Sequence, residues 1–188
     1  MRIMYIMLNP KYISIVLVGL LAPYSANGDE SALLFKSREL VAEYATLLQS
    51  ELKKSMSTGG PVAAIEVCKD HAPRIAAELS DRHSVMVGRT SLNTRNADNA
   101  PDAWEVEMLT RFDSGSTLEV FESMPNGDTR YMKAIPTAAV CLVCHGEALS
   151  EDVVESLDAA YPHDQARGYE IGDIRGAFSI TWPEAASD

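Results

Sequence analysis

Cysteine and histidine are scarce in this chain, three and four among 188 residues. That scarcity excludes the six- or eight-cysteine frameworks that staple small exported domains. Positive charge is also short: 16 Lys and Arg stand against 27 Asp and Glu, a formal net charge of −11. A surface this acidic repels nucleic acid and anionic lipid headgroups, whereas a basic protein partner is compatible with it. Long apolar stretches are missing too. The run ISIVLVGLL at residues 13–21 falls well short of the roughly 20 residues needed to span a bilayer. No internal repeat or low-complexity linker divides the chain, so one domain is expected over residues 29–188.

The short apolar run has its own meaning. Arg2 and Lys11 are the charges before Asp29, and small residues follow the run at Ser25, Ala26 and Gly28. A positive start, a brief apolar centre and a small-residue exit predict a signal peptide over residues 1–28. Cleavage would take the charge from −11 to −13, since two cations and no acid leave. Export to the periplasm follows, with no membrane association after cleavage; an uncleaved segment would instead be a membrane anchor.

Apolar residues recur at three- and four-residue steps over residues 31–56, which predicts a helix ended by STGGP, with Pro61 opening a second one. Pro73 removes a donor and crowds the carbonyl of Lys69, so a break is expected there. Residues 84–90 read as a strand, 91–102 as a polar loop, and 103–112 as a helix. The stretches 116–124 and 129–137 read as strands joined by a Pro-Asn-Gly-Asp turn. A polar helix over 150–160 and a strand over 177–182 complete the chain. Helices first and an antiparallel sheet later argue α+β.

Two of the three cysteines and one histidine crowd into CLVCH, residues 141–145. A thioredoxin-type dithiol is disfavoured, because the motif lies late and no βαβ pattern surrounds it. A zinc site from Cys141, Cys144 and the near-pair Cys68 and His71 is arithmetically possible, but exported domains of this size rarely depend on zinc. Cys-x-x-Cys-His is the attachment sequence of c-type haem. On one helical turn, Cys141 and Cys144 can form thioethers while His145 presents its imidazole to the iron. One covalently attached haem c is the expected cofactor.

Iron held by His145 has a second axial position. Met56, Met86, Met108, Met124, Met132, His71, His83 and His163 are formal candidates, most of the methionines better read as core filler. Cys68, the odd thiol, is either a small buried hydrophobe or a metal ligand, since an unpaired thiol persists after export when buried or bound. Arg89, Arg95 and Arg175 lie in loop-like stretches and are candidates for the haem propionates, the alternative being local structural pairing. Trp104 and Tyr131 could pack on a porphyrin, although the core suits both better.

Four stretches carry a resemblance: AAIEVCKDHAPRIA, VGRTSLNTRNADNAPDAWE, CLVCHGE and YPHDQARGYEIGDIRGAFSI. In this order they resemble the successive blocks of a bacterial family of c-type haem domains with a PAS-like fold, long catalogued as a domain of unknown function. The resemblance spans about residues 33–182. It implies an antiparallel PAS-like sheet with flanking helices, and it places the distal iron ligand at the cysteine of IEVCK, which carries onto Cys68. The covalent cysteines carry onto Cys141 and Cys144, and the proximal ligand onto His145. Some members stand alone; others are the extracytoplasmic sensing part of signalling proteins. No kinase, cyclase or second membrane segment accompanies the motif here.

A Cys68 thiolate would stabilise ferric over ferrous iron and give a low reduction potential. Reduction would weaken the bond and open the position to CO or NO. The expected function is therefore a haem-based redox or gas sensor passing its state to a redox or signalling protein. The alternative is an electron carrier whose iron stays six-coordinate. No distal acid–base constellation favours an enzyme, although a vacated position would allow weak peroxidase-like activity.

Overall fold

The computed structural model describes residues 26–184; the expected signal segment lies almost wholly outside them. Helix α1 (Ala26–Glu66) leads through a π turn (Val67–His71) into α2 (Ala72–His83). Strand β1 (Met86–Thr90), α3 (Ala103–Asp113), β2 (Glu119–Ser123), β3 (Thr129–Pro136), the single turn α4 (Leu142–His145), α5 (Glu151–Ala160) and β4 (Ile174–Trp182) follow. The strands form one open antiparallel sheet in the order β1-β4-β3-β2. The fold is α+β with the helices leading, as the residue pattern requires. Among the described residues no helix is long and apolar enough to cross a membrane.

Glycine and proline act on the helices in ways that differ from simple termination. STGGP kinks α1 and does not end it: Gly60 leaves helical space (φ 69, ψ −163) and Pro61 starts the next segment. The break expected at Pro73 takes the form of the π turn. Pro73 stands in the first turn of α2, and the Ala72 N–H reaches back five residues to Val67 O. Widening that turn relieves the clash a proline ring makes with the carbonyl four residues earlier. Cys68 rides on this turn. Further on, Asp102 and Glu105 form a reciprocal capping box that starts α3. The β2–β3 hairpin closes at Gly127 (φ 88), in the left-handed region that suits glycine.

Alternation along the strands builds two cores. Tyr131, Phe178, Ile180 and Trp182 face α1 and α2, where they meet Leu40, Tyr44, Leu48, Ile75 and Leu79. Val120, Met132, Ala134 and Ala177 face α3 and pack on Met108, Leu109 and Phe112. A third cluster joins the end of α1 to α5 through Ile65, Val153, Leu157 and Tyr161, with Cys144 and Leu149 against it. That cluster fixes the CLVCH turn beside the π turn. Leu79 is fully buried, so Leu79→Ala is expected to cost about 2–5 kcal/mol, read as a lower urea midpoint with an unchanged slope.

Candidate functional site

The CLVCH motif occupies a 3₁₀ turn (Ala139–Cys141) running into α4. Gly146 ends it. A Cβ there would lie 2.7 Å from Leu142 O and 3.2 Å from Leu142 Cβ, so only glycine fits directly behind the histidine. The segment 161–173 then wraps the motif. Tyr169 N–H donates to His145 O (2.9 Å) and Gly168 N–H to Gly146 O (3.1 Å).

His145 Nδ1 lies 2.8 Å from Ala166 O and 3.1 Å from Arg175 Nε, whose distance to Nε2 is 3.5 Å. A single ring nitrogen cannot donate to the first and accept from the second. The shorter contact assigns the proton to Nδ1, donated to Ala166, and leaves the Nε2 lone pair for a metal. Burial, with Arg175 and Arg95 nearby, pushes the His145 pKa down to about 3, so the imidazole is neutral at physiological pH.

Arg95 is almost completely buried. Its Nε donates to Asp164 Oδ1 (3.0 Å), and Nη2 donates to Cys144 O (2.6 Å) and Ala166 O (3.0 Å). It therefore ties the cysteine motif to the carbonyl that orients His145. Asp164 also accepts from Arg167 Nε (2.8 Å) and Ala166 N (2.9 Å). Burial alone would raise the Asp164 pKa; the hydrogen bonds from Arg95 and Arg167 outweigh it and hold the carboxyl below its ordinary value. Arg95→Met would leave Asp164 with Arg167 and the Ala166 N–H but would strip the Cys144 and Ala166 carbonyls of their shared donor, and is expected to cost about 1–3 kcal/mol. The sign of the pH dependence follows. Unfolded Asp164 binds a proton that the folded form does not, so its contribution is present above about pH 4 and is lost as the pH falls. Urea titrations between pH 5 and pH 3 should show stability falling, and Arg95→Met should flatten that fall.

The other two arginines are placed differently. Arg175 donates to Ser91 Oγ (3.0 Å) and lies over the Tyr169 ring (5.3 Å). Its pKa is lowered by burial. The Arg89 guanidinium lies 5.8 Å from the Tyr44 ring centre, and its Nε is buried with no partner. Among the three, Asp164 pairs with Arg95 alone.

Cys68, Cys141 and Cys144 are half-buried free thiols. Cys144 packs against the cluster of Ile65, Val153, Leu157 and Tyr161, and Ile65 precedes Cys68 by three residues, so the two cysteine segments share one neighbourhood. Tyr44 Oη donates to Ala72 O (2.9 Å), pinning the π turn to α1. Of the remaining ligand candidates, His71 shares the π turn with Cys68 and Met56 is half-buried on α1. Met108 and Met132 are buried under α3, Met86 and Met124 line a separate cleft on the sheet, and His83 and His163 are exposed. His71 Nδ1 is 3.3 Å from Glu51 Oε2, an ion-pair distance without hydrogen-bond geometry. Trp104 and Tyr131 belong to the cores, Trp104 donating to Glu122 and Tyr131 to Glu119. Among the described residues no three His, Cys, Asp or Glu side chains converge as a bare metal ion would require. Ala166, Asp164, Tyr44 and Tyr161 were not singled out by their residue pattern; the Asp-x-x-Arg step in HDQAR, where Asp164 holds Arg167, was the available signal.

Comparison with known proteins adds a family. The model of the Tll0287-like family matches residues 26–183. The crystal structure of the cyanobacterial heme-protein Tll0287 superimposes with a TM-score of 0.67 at 24% identity, covering 84% of this chain and 98% of that one. None of the curated proteins matches.

Proposed function

The chain belongs to the Tll0287-like family, and from that premise and the geometry of its site we propose that it is an exported mono-haem c-type protein acting as a redox or gas sensor. The observation that carries the reading is the pairing of two half-sites. A neutral imidazole, its Nε2 met by Arg175 Nε at the long distance of 3.5 Å, stands on the CLVCH turn, and the π turn with the Cys68 thiol follows directly on the segment whose Ile65 packs in the cluster that Cys144 joins. Cys141 and Cys144 would hold the haem through thioethers, with His145 and Cys68 as its axial ligands. The bound group supplies one-electron chemistry and, with an axial position free, affinity for CO or NO.

The charges around the site fit such a group. Three arginines meet one buried carboxylate, Asp164, which Arg95 engages. Arg89 and Arg175 are left with surplus positive charge, and Arg89 Nε is a buried donor without a partner. Two propionates would neutralise these two guanidiniums and satisfy that donor. Arg95 is then a positioning residue, holding the loop that orients His145.

The sensing reading rests on where Cys68 is mounted. A π turn is a local departure from the α-helix, often found at functional sites. Loss of a bond to Cys68 on reduction would free the turn joining α1 and α2, converting an electronic change into a mechanical one. Absorption and EPR spectra of the purified protein, oxidised and then reduced with and without CO, test the proposal. Rapid CO binding on reduction is expected. Six-coordinate iron inert to CO in both states would support the electron carrier instead.

A further inference from the structure

The edge that carries the CLVCH turn also carries a cleft. It has a volume of about 570 Å3 and lies between the end of α3, the loop after β1 and the segment entering β4. Leu92, Leu109, Phe112, Leu118 and Ile174 form its apolar walls. Leu118 is 53% exposed. Thr137, four residues before Cys141, is bonded to the same wall: its N–H donates to Asp173 O (2.8 Å) and its carbonyl accepts from Gly172 N (2.9 Å). This contact makes the approach to the cysteine turn continuous with the cleft rim. Ile171, next in sequence to the lining residue Gly172, and Val140, just before Cys141, are each 68% exposed.

The charge here has one sign. The segments 91–93, 109–118, 137–149 and 169–176 contain four acids, Asp113, Glu147, Glu170 and Asp173, and two arginines. Arg111 is turned toward Glu122 (3.3 Å), and Arg175 is held against His145 and Tyr169. Neither neutralises the rim. Asp113 and Asp173 stand close enough that desolvation and mutual repulsion hold the Asp113 carboxyl above its ordinary value. Solubility explains acids on a surface but not apolar side chains kept in water around a concave floor. Self-association through this face would bring like charges together.

We infer that this face docks a basic redox protein, which places an apolar side chain in the cleft and lysines or arginines against the acidic rim. The inference rests on the reading of the site as a one-electron centre, for which the partner would be donor or acceptor. Electrostatic complementarity of this kind sets encounter rate and register.

Calorimetric titration of the full chain with a basic mono-haem cytochrome c at low ionic strength provides the test. Binding is expected that weakens steeply with salt. Asp113→Lys/Glu170→Lys should weaken it at least about tenfold, whereas Glu39→Lys/Asp81→Lys, which changes the net charge equally on α1 and α2, should weaken it less than about threefold. Leu118→Ser/Ile171→Ser, which leaves the charge alone, should also weaken it severalfold. Absence of binding at low salt, or equal weakening by the two charge-reversed variants, overturns the docking surface. Binding is read without reference to haem, whose presence is read separately from the absorption spectrum of the same sample. A colourless protein with rim-specific binding would therefore refute the one-electron reading and leave the surface standing.

Discussion

Cys68→Ala is expected to convert a low-spin ferric haem protein into one with an open axial position and a higher reduction potential. Three observations lead there. Cys68 follows by three residues Ile65, which packs in the cluster that Cys144 joins, and Cys144 is adjacent to His145. Of the methionines that could replace it, Met108 and Met132 are buried in the α3 core and Met86 and Met124 lie on a separate cleft, while Met56 is half-buried on α1. The thiol is half-buried on a turn held by Tyr44, so alanine should leave the fold intact. A thiolate brings a full negative charge to the metal and favours the ferric state. Axial ligation spans about 0.8 V across haem proteins, and losing the charge should raise the potential by on the order of 0.1 V or more. EPR of the oxidised variant should change from low-spin to high-spin, and a potentiometric titration should show the upward shift. An unchanged low-spin signal would exclude Cys68 as the ligand and direct attention to His71 on the same turn.

Cys141→Ser/Cys144→Ser is expected to abolish covalent haem altogether. The two thiols sit on consecutive short turns, three residues apart, with His145 directly behind. Serine preserves their size and cannot form a thioether. Haem should then extract completely into acidified organic solvent, and a haem-stained denaturing gel should show no band. Each single variant should retain one thioether and shift the haemochrome absorption relative to the parent. Covalent haem surviving in the double variant would refute attachment at these cysteines.

Much of this arrangement is legible in the chain itself, for reasons that differ from residue to residue. Strand alternation determines the two faces of β3, with Tyr131 on one and Met132 and Ala134 on the other. The Pro-Asn-Gly-Asp turn marks its hairpin through a local backbone requirement at Gly127. CLVCH is legible because its chemistry depends on spacing. The π turn is not: Pro73 announces a disturbance, but neither the widened turn that relieves it nor the Tyr44 hydroxyl that bonds the Ala72 carbonyl has a local sequence signature. The three arginines are equally opaque. Arg89, Arg95 and Arg175 look alike in sequence, and only the partner of each, Asp164 for Arg95 and none for Arg89 Nε, separates an internal tie from an available donor. The carbonyl of Ala166 has no side-chain signature at all, yet it orients the histidine.

Iron K-edge absorption of the oxidised protein, compared with the Cys68→Ala variant, tests the central claim most directly. Five nitrogens and one sulfur around iron are expected in the parent, with the sulfur lost in the variant. Iron without a sulfur neighbour in the parent, or a sulfur that persists after the substitution, would contradict it.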